Sequence, residues 1–87
     1  MRIVSACVRY GGLVHEAKNH SDAMRKVWEL MGYPVKIRQE DQGFVTDTGR
    51  FVDRRQAGAI AFRAGQTAVR RELLLSEHLT MEGDVNA

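Results

Sequence analysis

The sequence predicts an α+β domain: a small antiparallel sheet of about four strands with two helices packed on it. Three observations carry that prediction. A Gly11-Gly12 pair sits between two strand-like runs, the signature of a tight hairpin. Two later stretches have helical spacing and are bracketed by a capping residue and a glycine. Between the helices, apolar and charged residues alternate with the period of a half-exposed strand. At 87 residues the chain has the length of one domain. Residues 1–80 are expected to form it, with 81–87 as a frayed C-terminal tail.

Arg2 to Tyr10 reads as the first strand, with Ile3, Val4, Val8 and Tyr10 supplying β-branched and aromatic character. Leu13 to Ala17 is the returning strand. Lys18-Asn19-His20 is a polar connector, and Ser21 is expected to cap the first helix with Asp22 in its first turn. Met24, Val27, Trp28 and Met31 fall at i, i+3, i+4 and i+7, so they form the expected buried stripe of a helix over Ser21–Met31. Gly32 ends it and Pro34 blocks its resumption.

Val35, Ile37 and Gln39 alternate with Lys36, Arg38 and Glu40. This predicts a strand, which Phe44 and Val45 continue beyond Gly43. Thr46-Asp47-Thr48-Gly49 has the composition of a turn, and Arg50-Phe51-Val52 is short and extended. Asp53 and Gln56 have capping-box spacing. Ala57, Ile60, Ala61 and Ala64 form the stripe of a second helix, Arg54–Ala64, whose small residues allow close packing on a sheet. Gly65 ends it. Gln66 to Arg71 carries no clear period. Leu73-Leu74-Leu75 must be at least partly covered.

A chain this short buries only roughly 60–65% of its unfolded surface, and small domains often gain stability from disulfides, metals or oligomerisation. Cys7 is the only cysteine, so no disulfide forms within the chain. His15, His20 and His78 have no metal-ligand spacing. Self-association is the remaining expected aid. No run approaches the ~20 apolar residues of a membrane helix, no signal-peptide pattern opens the chain, and a single free cysteine fits a reducing cytoplasm.

The net charge is +2, but its distribution is uneven: from Gly49 to Arg71 six arginines face one acid, Asp53, a local charge of +5. From Glu72 onward there are four acids and no lysine or arginine. Arginine presents a planar fork suited to phosphate and carboxylate. The stretch is therefore either a solvated helix face or an anion site.

Nothing in the sequence points to catalysis. There is no phosphate-cradling glycine loop and no nucleophile elbow. Cys7 lies inside a predicted strand, where a lone cysteine is commonly a small buried hydrophobe. Glu40 and Asp41 are neighbours in a predicted strand and would face opposite ways. The expected function is binding, with neither cofactor nor metal. Strands between the two helices exclude a helix-turn-helix, and an arginine stripe alone supports weak, salt-sensitive binding to nucleic acid.

Four segments carry a family resemblance: His15 with Asn19-His20; QGFVTDTGRFVDRRQA from Gln42 to Ala57; AIAFRAGQ from Ala59 to Gln66; and LLSEHL from Leu74 to Leu79. Their order and spacing, over roughly residues 3–79, resemble the first family of phage-encoded Thoeris anti-defence proteins. The resemblance implies a sponge in the host cytoplasm. Such a protein sequesters, without cleaving it, a cyclic ADP-ribose isomer made as an immune signal; some members also hold cyclic oligonucleotides. It further implies homodimers or hexamers with pockets between protomers.

Carried over by position, the implied ligand-binding residues are Phe44, stacking a base, and Arg54, holding a phosphate at the start of the second helix. His20 and Asn19 precede the first helix, and Arg70 and Arg71 follow the second. Asn19 departs from the arginine of the family pattern, and the chain is shorter than members with longer N-terminal or inter-helix segments. The alternative reading is a small phage accessory protein that binds nucleic acid or a host protein.

Overall fold

The computed structural model describes residues 1–79; residue 80 and the expected tail, 81–87, lie outside the described residues. Strands β1 (Ile3–Tyr10) and β2 (Leu13–Ala17) lead into helix α1 (His20–Met31). Strands β3 (Gln42–Thr46) and β4 (Phe51–Asp53) then lead into α2 (Arg54–Arg63). The four strands form one antiparallel sheet in the order β2-β1-β3-β4. This is the predicted α+β arrangement.

The hairpin forms where the glycine pair predicts it. Gly11 and Gly12 both have positive φ, 61° and 77°, a combination that lets a two-residue turn match the twist of its strands. Pairing continues across the sheet, Ala6 opposite Phe44 and Phe44 opposite Val52. These three residues share one face, and both helices lie on it. Ala57 and Ala61 of α2 pack there with Ile3, Ala6, Phe44, Val52 and Leu74. Ala23 and Val27 of α1 pack with Val8 and Ile37.

Three expectations are corrected. Asn19, not Ser21, caps α1: its backbone is extended and its side chain accepts from the Asp22 N–H at 2.8 Å. Asparagine caps as well as serine, so the helix starts one residue earlier than predicted. The buried stripe of α1 is His20, Ala23 and Val27, while Trp28 and Met31 are 37% and 40% exposed. Trp28 rests at the rim, its indole N–H donating to the Val35 carbonyl.

The strand expected from Val35 is displaced. Residues 35–38 have no regular structure, Gln39–Asp41 is a single 3₁₀ turn, and the strand begins at Gln42. The alternation there reflects an extended segment that tucks Ile37 into the core. Side chains, not a strand partner, bond two of its carbonyls, Trp28 that of Val35 and Gln42 that of Ile37, and the Asp41 N–H bonds that of Arg38.

The segment after α2 crosses back over both helix N-termini. Its approach to α2 needs Gly58, because a Cβ there would overlap the Arg71 carbonyl. The Leu74 N–H donates to the Arg54 carbonyl, and the Leu74 side chain is fully buried. Of the leucine run, Leu75 is half-buried and Leu73 exposed. Residues 76–79 then form a helical turn against α1.

Candidate functional site

Strands β2 and β4 run in opposite directions and end opposite Ala6 and Gly43, so the helices that follow them both start near the middle of the sheet, and a strap that crosses both N-termini makes a cleft. Asn19, His20 and Ser21 of α1, Arg54 of α2, and Leu75, Ser76 and Glu77 of the strap line a cavity of about 410 Å³. That volume suits a small ligand.

His20 is the first residue of α1, and its ring is buried beneath the strap. Nε2 lies 2.7 Å from the Gly43 carbonyl oxygen, which can only accept, so Nε2 carries the proton. Nδ1 is therefore an acceptor, and the Ser76 hydroxyl donates to it at 2.6 Å. The same hydroxyl accepts from the His20 backbone N–H at 3.1 Å. Burial holds the His20 pKa below its ordinary value; the Gly43 bond opposes the shift and nearby Arg54 adds to it. The ring is neutral at pH 7 and serves as a fixed wall. Phe44 supports it from below, edge to face at 4.9 Å between ring centres.

Arg54 opens α2, and its side chain reaches the 3₁₀ turn and the start of β3. Its two terminal nitrogens donate to Gln39 Oε1 at 2.9 Å and Gln42 Oε1 at 3.0 Å. Gln42 is oriented by its own bond to the Ile37 carbonyl. Both partners are neutral amides. Among the described residues the ion pairs join Arg9 to Asp41 and Arg38 to Glu40 and Asp41; no carboxylate neutralises Arg54. Its Nε is buried without a hydrogen-bond partner, and desolvation lowers its pKa, although a guanidinium stays charged. A pinned, uncompensated cation therefore stands beside the N-terminus of a twelve-residue helix, where backbone donors and the helix dipole favour negative charge. Ser21, second in that helix, has an N–H with no intrahelical acceptor.

The structure thus gathers Asn19, His20 and Arg54 of the expected site residues. Asn19 acts first as the cap. Phe44 has 0% exposure and presents no ring face to a ligand, so the expected base-stacking role is replaced by a core one. Arg70 and Arg71 lie apart, lining a separate depression with Arg55 and Glu72. The participation of Ser76, 56 residues from His20, and of the Gln39 and Gln42 amides was missed. No local spacing signals a contact made only by the folded strap. No group of three or more potential metal ligands occurs among the described residues, and no helix there is long and apolar enough to cross a membrane.

A family model described as phage T4 y16D protein matches residues 2–81. No curated protein and no solved structure matches the chain.

Proposed function

The chain belongs to the phage T4 y16D protein family, and we propose that this phage protein binds a phosphate-bearing nucleotide signal and sequesters it. The observation that supports this reading best is the Arg54 guanidinium, pinned by two neutral amides at the mouth of a cleft that also contains the N-terminus of α1. A cation organised in this way has its desolvation and orientation costs met before a ligand arrives, so an anion gains a charge-assisted bond. The resemblance to Thoeris anti-defence proteins supplies the finer class, a cyclic ADP-ribose-type signal met in the host cytoplasm. It also supplies self-association, in which a second copy would wall the open side of the cleft.

Sequestration without cleavage fits the Ser76–His20 pair. The Ser76 hydroxyl closes the strap onto α1 by donating to the ring and accepting from the backbone of the same residue. A serine held this way is a clasp, and freeing it for attack would loosen the cleft wall.

Calorimetric titration with cyclic ADP-ribose isomers, cyclic oligonucleotides and duplex DNA tests the reading. Tight binding of a cyclic nucleotide is expected, weakened at least tenfold by Arg54→Ala, which corresponds to about 1.4 kcal/mol. Ligand recovered after heat denaturation should be chemically unchanged. Sequence-selective binding of DNA with no response to cyclic nucleotides would instead establish the nucleic-acid alternative. Light scattering at micromolar concentration checks the dimer, and a mass near 9.8 kDa would remove it.

A further inference from the structure

The cleft carries one charge of each sign, and they sit on different walls. Arg54 belongs to the start of α2, whereas Glu77 lies on the helical turn of the strap. Glu77 is exposed, and no hydrogen bond or ion pair engages it among the described residues. It lies beyond ion-pair distance of Arg54, although both line the same 410 Å³ cavity. A pure anion receptor would not keep a carboxylate in its wall, because like charge within a partly desolvated site repels the ligand. A carboxylate is, however, the usual acceptor for the vicinal hydroxyls of a ribose, while phosphate goes to helix N-termini and arginine.

Resting on the binding reading above, we propose that Glu77 accepts the ribose hydroxyls of a ligand whose phosphate lies between Arg54 and the Ser21 N–H. The cleft then recognises a ribose phosphate unit by its polarity, anionic at one end and hydrogen-bond-donating at the other. Inorganic phosphate satisfies the first end and is repelled by the second. Leu75, on the strap wall with Glu77, offers an apolar surface to the sugar or base.

The test compares adenosine 5′-monophosphate, 2′,3′-dideoxyadenosine 5′-monophosphate and inorganic phosphate, titrated into the full chain and its Glu77→Gln and Arg54→Ala variants. The unsubstituted protein is expected to prefer the ribose compound to the dideoxy compound by at least tenfold. Glu77→Gln should collapse that preference to within about threefold, a residual ratio an amide acceptor can sustain, and should tighten inorganic phosphate. Arg54→Ala should weaken all three. If every compound binds through Arg54 but the preference is absent or survives Glu77→Gln, the role of Glu77 is overturned while the phosphate site stands. If none of the three binds, the phosphate site and the role of Glu77 both fall. Circular dichroism of the variants excludes misfolding, and Glu77→Asp, keeping the charge, is expected to restore part of the preference.

Discussion

The two helices begin side by side near the middle of the sheet and solve the problem of their free N–H groups in opposite ways. At α2 the protein supplies its own anion. The Asp53 carboxylate accepts from the Gln56 N–H at 2.8 Å, and the Gln56 side chain accepts from the Asp53 N–H at 3.1 Å. That reciprocal capping box is complete and leaves little for an external anion to gain. At α1 the cap is a neutral asparagine, and the first residue is a neutral histidine tied to the strap. The only acid in its first turn is Asp22, and a cation is brought in from the other helix. The lesson is that a helix N-terminus becomes a candidate site through what its cap fails to neutralise. Arg54 marks this division: it belongs to α2 by sequence and serves the terminus of α1 by geometry.

The largest effect expected from testing this contrast is on stability. Phe44 packs beneath both termini, contacting His20 and sharing a core with Ala57 and Ala61. Phe44→Ala should cost about 3–5 kcal/mol, as for other buried aromatics, measured by urea denaturation. A variant with unchanged stability and reduced nucleotide affinity would place the ring in the binding site and break the division between support and site.

Next in size is the asymmetry between adjacent arginines. Arg54→Ala should lower phosphate-ligand affinity at least tenfold, about 1.4 kcal/mol, whereas Arg55→Ala, whose side chain lines the other depression, should leave it within about twofold, a difference within the error of additive surface effects. Equal losses for the two would mean that general positive charge, not the pinned guanidinium, carries binding.

The caps themselves sharpen the comparison further. Asp53→Ala and Asn19→Ala should each cost about 1 kcal/mol of stability, read from the shift in denaturation midpoint. Only the second should also lower affinity, because Asn19 fixes the helix end that lines the cleft. An affinity loss in Asp53→Ala would show that the α2 terminus is still available to ligands.

Much of this contrast is legible in the sequence, and the missing part has a physical cause. Asp53 and Gln56 announce their capping box by spacing alone, since every atom involved lies within one helical turn. The glycine pair and the small-residue stripe of α2 are equally local. At α1, Asn19 and Ser21 are both good caps, and the choice is made by the His20 N–H finding Ser76, a contact across the whole chain. The strand expected from Val35 failed for a related reason: period-two alternation reports an extended chain with one face buried, not the presence of a hydrogen-bonding neighbour. The candidate site was legible as residue types, Asn19, His20 and Arg54. Its geometry was not, because one of the two amides that pin Arg54, Gln39, comes from the segment whose structure the alternation misassigned, and the other, Gln42, is 12 residues from Arg54. The burial of Phe44 follows from pairing with Ala6 and Val52 on the helix-covered face, which no single strand pattern reveals.

The smallest expected effect is a pH dependence confined to the α1 terminus. His20 is held below its ordinary pKa of 6.5, first by burial and then by Arg54, against the opposing bond to the Gly43 carbonyl. The groups facing it are that carbonyl from β3, Arg54 from α2 and Ser76 from the strap, with Glu77 on the same cleft. A base with a depressed native pKa binds fewer protons folded than unfolded as the pH falls through 6.5. Its contribution to stability is therefore complete above 6.5, declines as pH falls toward the lowered native value, and is constant below that. Urea denaturation at pH 7.5 and pH 5, chosen to lie on either side of the reference value, should show a loss in the native protein that is smaller in His20→Gln, because the variant retains every other titrating group. A bound phosphate would put negative charge beside the ring, raise its pKa and flatten the difference. The capping box of α2 contains no histidine, so Asp53→Ala should leave this neutral-to-acid difference in place. If His20→Gln and the native protein lose the same stability on acidification, the ring is not the buried neutral wall that distinguishes one helix terminus from the other.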